Sequence, residues 1–257
     1  MKIATINQRC VYKKDGNQSF IHRAVFLCDK IESEKPDVIG FQEVIASSLK
    51  VFEKLLPEYI FVGQLRGENY DGEGLYVAVR KETCALLGFE TVWLSPTPYV
   101  PGSRFENQSD CPRTCLEVKV RHRASGLVFR LYDIHLDHIS DEARVLGIKT
   151  TFEFIDSFKK DGAPIVLLGD FNAFPNSKTI AICNAREDMR EVSANIPYTF
   201  HNFGKYGDHS DRPMEKIDYI FMSHELADKV TKVSAWEDKS YDIWLSDHFP
   251  VCAELDV

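Results

Sequence analysis

The chain has 257 residues, of which 44% are hydrophobic and 27% charged, a composition typical of a globular protein that buries a large core. It contains no low-complexity tract, internal repeat or linker-like segment, so we expect a single domain spanning residues 1–257. The net charge of −8 and the lack of a basic stripe argue against non-specific duplex binding, but they do not exclude a nuclease, because bound divalent cations change the sign of the local field.

The first third of the chain predicts strands that alternate with helices. Lys2–Asn7 alternates polar and apolar residues and predicts a strand. A helix is predicted after Ser19 and before Pro36, with its apolar positions at Ile21, Ala24, Val25, Cys28 and Ile31. A second helix is predicted up to Pro57, with apolar positions at Leu49, Phe52, Leu55 and Leu56. Further strands are predicted at Asp37–Gln42, Tyr59–Gly63, Leu75–Arg80 and Leu86–Leu94.

A polar, proline-containing stretch from Ser95 to Pro112 then predicts a functional loop. Thr114–Arg123 and Leu127–Leu136 predict a hairpin, and a helix capped by Ser140 follows. The inward positions predicted for this helix are Val145, Ile148, Phe152 and Ile155. The remaining strands are predicted at Pro164–Gly169, Ile217–Met222, Val230–Trp236 and Pro250–Leu255. Because hairpins and helices both connect the strands, we expect mixed α/β sheets and not a purely parallel one.

Polar side chains end or interrupt these apolar strands at widely separated places. They are Asn7, Glu43, His135, Asp170, Asn172, Asp218, Asp247 and His248. Because strand ends converge at the rim of a sheet, such residues can share one pocket. Asparagine and carboxylate oxygens suit Mg²⁺ or Mn²⁺. Histidines beside carboxylates can carry protons or stabilise an oxyanion.

Each of these residues also has a purely structural interpretation. Asn7 and Asp170 could be turn residues, and Glu43 could be a solvated strand end. His135 could be a core histidine whose hydrogen bonds are satisfied. Asp218 is harder to explain in this way, because a carboxylate inside an apolar strand needs a partner or a cation. The joint occurrence of these residues in this order is what indicates a site.

Targeting and cysteine signals are weak. Lys2–Asn7 contains no continuous apolar segment of the kind a signal peptide needs, and the longest apolar runs are too short to span a bilayer. Seven cysteines are scattered, Cys111 and Cys115 are the only close pair, and no second Cys/His pair lies at zinc spacing. We therefore expect a cytoplasmic, monomeric protein with reduced thiols and no membrane partner, unless a leader has been removed.

The ordered motifs resemble those of the endonuclease/exonuclease/phosphatase superfamily, with its DNase-like fold. The matching segments are Thr5–Asn7, Phe41–Val44, Ile134–Leu136, Gly169–Asn172, Ile217–Ile220 and Ser246–Pro250. The words GDFN and SDHFP are the most specific of these. The resemblance implies two mixed β-sheets packed as a sandwich and flanked by helices, in four α/β/β/α layers. It also implies hydrolysis of a phosphate ester with Mg²⁺ or Mn²⁺ as cofactor.

The resemblance assigns roles by position. Glu43 would be the main metal ligand, with Asn7 and Asp247 completing or supporting the metal site. Asp170 would orient or deprotonate the attacking water, and Asn172 would hold that water or a phosphate oxygen.

The remaining implied roles concern the phosphate. Asp218 would pair with His248, fixing its tautomer and keeping it charged, while His135 would be a second phosphate-facing histidine. Arg113 would either contact substrate or form a surface salt bridge. The implied reaction is in-line attack of water on phosphorus without a covalent intermediate.

The segment from His135 to Arg144 resembles a compact bacterial subfamily related to the deadenylase-like branch. Its Asp137, His138 and Arg144 belong either to the pocket or to the cap and surface of the following helix. Three loops, Gln64–Gly74, Ser95–Pro112 and Tyr198–Glu215, are expected to select the substrate. Their basic residues are Arg66, Arg104, His201, Lys205, His209 and Arg212.

Three hypotheses for function follow. The leading one is a nuclease or related phosphodiesterase, including a 3′–5′ exonuclease that acts on single-stranded nucleic acid. The second is a phosphatase of a small phosphorylated metabolite such as a sugar, inositol or nucleotide. The third is a non-catalytic scaffold.

Overall fold

Two six-stranded sheets pack face to face in the computed structural model, which describes residues 1–207 and 211–257. The strands of the first sheet are β1 (Lys2–Asn7), β2 (Val38–Val44), β3 (Tyr59–Leu65), β4 (Gly74–Arg80), β11 (Val230–Ala235) and β14 (Val251–Leu255). Those of the second are β5 (Cys84–Trp93), β6 (Thr114–His122), β7 (Val128–His135), β8 (Ile165–Asp170), β9 (Met189–Glu191) and β10 (Asp218–Ser223). A small hairpin pairs β12 (Lys239–Ser240) with β13 (Ile243–Trp244).

Each sheet has one parallel pair near its centre. The first sheet runs β11-β14-β1-β2-β4-β3, with β1 parallel to β2 and the other neighbours antiparallel. The second runs β5-β6-β7-β8-β10-β9, with β7 parallel to β8. The register places Asn7 beside Gln42 in one sheet and His135 beside Asp170 in the other. Each parallel pair therefore carries polar side chains at the carboxyl ends of its strands.

Helices cover the outer faces of both sheets. Their bounds are α1 (Phe20–Glu34), α2 (Ala46–Leu55), α3 (Asp141–Ser157), α4 (Lys178–Asn184) and α5 (His224–Ala227), with short 3-10 turns at Lys13–Gln18 and Lys159–Asp161. Residues of α1 and α2 pack on the first sheet, and residues of α3 and α4 pack on the second. A separate apolar cluster fills the space between the sheets. The predicted four-layer α/β/β/α sandwich is confirmed.

The hairpin predicted at Thr114–Arg123 and Leu127–Leu136 is confirmed as the antiparallel pair β6 and β7. Leu116, Val118 and Val120 are fully buried in the apolar cluster between the sheets, which also contains Val77 and Ile3 of the first sheet. No helix within the described residues is long and apolar enough to cross a membrane. All seven cysteines are free thiols.

The apolar face predicted for α1 is partly wrong. Ile21 is 70% exposed and Val25 57% exposed, whereas Phe20 and Leu27 are buried with Ala24. The buried positions repeat every three or four residues from Phe20. Ile21 and Val25 therefore lie about 100° further around the helix and face solvent.

The inward stripe predicted for α3 is also partly wrong. Ile148 and Ile155 are buried, but Val145 and Phe152 are only partly so. Gly147 lies on the buried face in their place. A Cβ atom there would lie 3.2 Å from the side chain of Leu136, so the helix approaches the sheet through its small residues. The sequence reading also omitted the elements α4, α5, β9, β12 and β13.

Candidate active site

Asn7 joins the two sheets at one end of the sandwich. Its Nδ2 donates to Glu43 Oε1 at 3.1 Å and to Asp170 Oδ2 at 2.9 Å. Its Oδ1 accepts from the backbone N–H of Arg9 at 3.0 Å. One amide of β1 therefore faces carboxylates of β2 and β8 with its donor group, while its oxygen is held by the backbone.

Glu43 reaches this position through an irregularity in β2. The pairing of β2 with β4 shifts register between Phe41 and Val44, and Glu43 has a positive φ of 61°. A bulge of this kind redirects a side chain at the end of a strand. Burial opposes ionisation of Glu43, but the backbone N–H of Cys10, at 2.8 Å from Oε2, and the charge of His248 lower its pKa.

Asp170 ends β8 with both oxygens oriented. Oδ1 accepts from the backbone N–H of Asn172 at 2.8 Å, and Oδ2 accepts from Asn7. Burial, together with the charge of Asp218, raises the pKa of Asp170 to about 7. Asn172 has a φ of 47°, and its Nδ2 donates to Leu136 O at 3.1 Å. Asn172 therefore has its Oδ1 to offer to the pocket that it lines.

His248 is held by a buried network. Its Nδ1 lies 2.9 Å from Asp218 Oδ2, which also accepts from the hydroxyl of Thr199 at 2.5 Å. Burial lowers the pKa of His248, but the charge and hydrogen bond of Asp218 outweigh it and raise the pKa to about 10. The imidazole is therefore a cation near neutral pH, and its Nε2 lies 3.9 Å from Asp170 Oδ2.

His135 faces the same carboxylate from β7. Its Nε2 lies 3.5 Å from Asp170 Oδ2, and its buried Nδ1 has no hydrogen-bond partner among the described residues. Burial holds the pKa of His135 well below its usual range, and the charges of Arg113 and Arg66 lower it further. The two histidines thus differ in charge: His248 is protonated and His135 is neutral.

Asp247 lies beside Glu43 on the side of the first sheet. It is 2% exposed, its Oδ2 lies 3.5 Å from Arg9 Nε, and its Oδ1 accepts from Ser246 Oγ at 3.2 Å. Burial raises the pKa of Asp247, and the charge of Glu43 adds to this rise. Crowding of two carboxylates is relieved when a cation binds between them.

The chemistry of these donors fits a hard divalent cation. Glu43 and Asp247 offer carboxylate oxygens, and Mg²⁺ is commonly held by one or two carboxylates. Asp170, Asp218 and His248 also offer ligand atoms that lie within 4.8 Å of one another. In that second group, however, His248 Nδ1 and Asp218 are already bonded to each other, so Glu43 and Asp247 are the better candidate ligands.

Arg113 lies on the other side of His135 and is 4% exposed. Its Nη2 is 2.9 Å from His138 Nδ1, and its Nε is 3.9 Å from Asp137 Oδ1. Its Nε and Nη1 have no hydrogen-bond partner in the part of the chain that the structure describes. Burial lowers the pKa of Arg113 to about 10, and the charge of Arg66 adds to this effect.

The two roles predicted for the segment after His135 are divided among its residues. Asp137 is a cap: its Oδ2 accepts from the backbone N–H groups of Ile139 and Ser140 just before α3. His138 and Arg144 line the pocket. Arg144 also donates to Asp137 O at 2.7 Å and pairs with Asp141.

Side chains from widely separated parts of the chain meet in one pocket of about 520 Å³. Among its lining residues are Glu43, Arg66, Cys111, Arg113, His135, His138, Arg144, Asp170, Asn172, Phe174, Phe200, Asp247 and His248. Asn7 and Asp218 lie directly behind this lining, bonded to Asp170 and to His248. All nine residues that the sequence pointed to are therefore brought together at one end of the sandwich.

The basic loop residues are mostly outside the pocket. Arg66 lines it and pairs with Glu73 at 2.5 Å. Arg104 instead bonds Ser109 O and Asp110. His201 is buried and stacked on Phe249 with ring centroids 4.1 Å apart. The other three lie apart from the pocket lining or beyond the described residues: Lys205 and Arg212 are exposed, and His209 falls in the undescribed segment 208–210.

Sequence reasoning missed four residues of the site. Arg9, two residues after Asn7, pairs with Asp247. Arg23 donates to the backbone oxygens of Gln8, Arg9 and Leu245. Thr199 lies in no predicted strand, so no pattern marked it. Asp133 interrupts the apolar strand β7 two residues before His135, the same signal that singled out Asp218.

A protein-family model covers most of the chain. The model of the Endonuclease/Exonuclease/phosphatase family matches residues 17–248. None of the curated proteins matches the chain.

Solved structures resemble the whole chain. An endonuclease/exonuclease/phosphatase from Bacteroides vulgatus is 27% identical, with a TM-score of 0.88 over 99% of this chain and 98% of its own. The mannosyl-6-phosphatase Bt3783 of Bacteroides thetaiotaomicron is 23% identical, with a TM-score of 0.88 over 100% of both chains. TDP2 of D. rerio, complexed with a single-stranded DNA product, is 18% identical, with a TM-score of 0.77 over 100% of this chain and 99% of its own. The last two likenesses show the fold alone.

Proposed function

The chain belongs to the endonuclease/exonuclease/phosphatase family, and from this premise we propose that it hydrolyses phosphate esters by attack of water on phosphorus. The observation that carries the proposal is the meeting of Glu43, Asp170 and His248 in one pocket. These residues come from β2, from β8 and from the segment before β14, and only the fold brings them together.

We assign metal binding to the first-sheet side of the pocket. Glu43 and Asp247 would hold Mg²⁺ or Mn²⁺, and Asn7 and Arg9 would fix the two carboxylates in place. A divalent ion bound there supplies positive charge to the phosphoryl oxygens as negative charge builds on them. Asn7 acts as a support, since the atom that it turns to Glu43 and Asp170 is its donor Nδ2 and not its oxygen.

Asp170 is assigned to the attacking water. Its two oxygens are fixed by Asn7 and by the backbone of Asn172, so the carboxylate is oriented before substrate binds. Water would donate one proton to Asp170 and another to Asn172 Oδ1, and its oxygen would attack phosphorus as the ester bond breaks opposite to it. The proton that water loses passes to Asp170 and then to solvent, and the departing ester oxygen takes a proton from solvent, so that the products are an alcohol and a phosphate.

The phosphoryl oxygens are assigned to donors on the second-sheet side. His248, charged because of Asp218, would donate from Nε2, and neutral His135 would donate from the nitrogen that carries its proton. Arg113 would offer its Nε and Nη1, which have no hydrogen-bond partner among residues 1–207 and 211–257. Such preorganised donors stabilise the charge of the transition state more than that of the substrate.

Two substrate classes agree with this machinery. A phosphodiester of single-stranded nucleic acid is supported by the likeness to TDP2, which is complexed with a DNA product. A small phosphomonoester is supported by the likeness to mannosyl-6-phosphatase. Both reactions use the same water attack.

In the test, the purified protein is incubated with Mg²⁺ or Mn²⁺ and with labelled single-stranded RNA, labelled single-stranded DNA or a panel of phosphomonoesters. We expect hydrolysis of at least one class, and we expect Asp170→Asn to lower kcat by about 10²–10⁴-fold. Asp256→Asn, which changes an exposed carboxylate near the chain end, is the matched control and should keep full activity. If the wild-type protein cuts none of these esters and binds no metal, the proposal is wrong and a scaffold role takes its place.

A further inference from the structure

The pocket wall on the side of His135 is formed by Arg66, Arg113, Arg144 and His138; burial lowers the pKa of His138, so the three arginines carry the positive charge of this wall. Three of these are substantially buried: Arg113 is 4% exposed, Arg66 8% exposed, and the side chain of Arg144 11% exposed. Placing cations out of water is unfavourable unless anions or acceptors compensate them. The wall is therefore a built feature of the pocket and not a set of solvated surface charges.

The compensation within the wall is incomplete. Nε and Nη1 of Arg113 and Nε of Arg144 are buried without a hydrogen-bond partner among the described residues. The nearest carboxylate to Arg113, that of Asp137, is 3.9 Å from its Nε and is already engaged by Ser109, Ile139 and Ser140. Unpaired N–H groups of this kind are satisfied when an anion with several oxygens binds.

The loop at 95–112 fixes this wall in position. Ser109 donates to Asp137, Asn107 Nδ2 donates to Glu142 Oε2 at 2.9 Å, and Gln108 Nε2 donates to Cys111 O at 2.6 Å. The first two of these bonds attach the loop to Asp137 and to Glu142 in the first turn of α3, and the third lies within the loop.

We infer that the reacting phosphate is a terminal one, so that the natural substrates are phosphomonoesters and not internal phosphodiesters. The inference rests on the proposed function and narrows it to one substrate class. A phosphomonoester carries close to two negative charges at neutral pH, whereas a diester carries one. Its third free oxygen has no substituent and can approach Arg113 and Arg144, where an esterified oxygen would bring a second alcohol group against the wall.

The experiment compares two esters with the same leaving group, p-nitrophenyl phosphate and methyl p-nitrophenyl phosphate, in the presence of Mg²⁺ or Mn²⁺. We expect the wild-type protein to prefer the monoester. We expect Arg113→Gln to lower kcat/KM by about 30-fold or more for the monoester and by about threefold or less for the diester, because charge-assisted hydrogen bonds to the third oxygen are lost. Arg190→Gln, on an exposed residue paired with Asp228, is the control and should change neither value.

Two additions keep the result interpretable. If Arg113→Gln does not fold, Arg144→Gln at the pocket edge takes its place with the same expectation. Inorganic phosphate, the product of a monoester, should raise the melting temperature of the wild-type protein and should have little effect on the arginine variant.

The outcomes separate the inference from the proposed function. Hydrolysis of the methyl ester as efficiently as the monoester, or equal losses for both esters in the arginine variant, would overturn the inference and leave the proposed function standing. If the wild-type protein hydrolyses neither of these two esters and no ester in the broader panel, both the inference and the proposed function are overturned.

Discussion

Asp133 is a carboxyl group buried between the two sheets. It is 0% exposed, its Oδ1 accepts from Gln42 Nε2 at 2.6 Å, and its Oδ2 has no partner among the described residues. Burial raises the pKa of Asp133 well above its ordinary value, and the charge of Asp170 adds to this rise. The folded protein therefore keeps a proton on Asp133 that the unfolded chain releases at a lower pH.

This proton gives the free energy of unfolding a predictable pH dependence. Between the unfolded and folded pKa values the folded state binds one more proton than the unfolded state, so stability falls as pH rises through this window. Asp133→Asn removes this dependence. We expect the free energy of unfolding of the variant, relative to wild type, to rise by up to about 1.4 kcal/mol per pH unit above pH ~4, measured by urea denaturation from pH 5 to 8.

Asp256→Asn serves as the matched control, because it removes an exposed carboxylate and should leave the pH profile of the wild-type protein unchanged. Parallel profiles for wild type and Asp133→Asn would show that Asp133 ionises freely in the fold, contrary to our expectation.

At the scale of single residues, the sequence predicted which residues form the site better than it predicted how their side chains are oriented. Asp218 and His248 were predicted to pair, and the structure places Asp218 Oδ2 2.9 Å from His248 Nδ1. Asn7 was predicted as a ligand or support, and only the structure reveals that its oxygen is held by the Arg9 backbone. A sequence motif records that an amide is present, but the direction of that amide depends on neighbours that are distant in the chain.

At the scale of elements, β8 delivers Asp170 through an unusual residue. Gly169 has a φ of 133°, and a Cβ atom built on it would lie 2.0 Å from the carbonyl oxygen of Ile134 in β7. Only glycine permits the two strands to approach this closely. The contact occurs one residue before Asp170 and one before His135, so the spacing of the two strands sets the geometry of the site.

Gly169→Ala should therefore damage both stability and activity. We expect a loss of about 3 kcal/mol or more in the free energy of unfolding, because the backbone of β7 or β8 must shift, and a loss of activity in whatever protein folds. Gly88→Ala, in β5, where an added Cβ meets nothing within 4 Å, should change stability by less than about 1 kcal/mol. Chemical denaturation of the two variants side by side makes the comparison, and equal stabilities would contradict it.

The boundaries of most strands could be predicted because turn residues and alternation mark them, as in the β6–β7 hairpin. The faces of helices were harder to predict. In α1 both Phe20 and Ile21 are apolar, and which of them packs on the sheet depends on how the helix is rotated against the strands below it. Composition alone does not distinguish adjacent apolar residues in this way.

At the scale of the whole molecule, the site straddles the boundary between the two sheets. Glu43 and Asn7 belong to the first sheet, while Asp170, His135 and Asp218 belong to the second. The resemblance of motifs predicted that these segments meet. It named Arg66, Arg113 and Arg144 only as separate candidates and could not predict that they line one side of the pocket, because the loop at 95–112 has no repeating pattern to interpret.

Metal binding should stabilise the whole fold, because ligands that exist only in the folded state shift the folding equilibrium. We expect Mg²⁺ or Mn²⁺ to raise the melting temperature of wild type, by an amount equivalent to about 2.7 kcal/mol at 100 times the dissociation constant. Glu43→Gln should abolish most of this shift, and the exposed control Glu225→Gln should retain it. An identical metal titration of Glu43→Gln and wild type would remove Glu43 from the metal site.

The amide of Asn7 has a mechanical consequence. It bridges the two sheets, and its two hydrogen bonds, of 3.1 and 2.9 Å, lie within the ordinary range for N–H···O bonds. A shear of one sheet over the other by a single ångström would break one of them and uncouple the two halves of the pocket. The apolar core between the sheets thus keeps the two halves of the pocket aligned. Substitutions deep inside this core should therefore abolish activity before they unfold the protein.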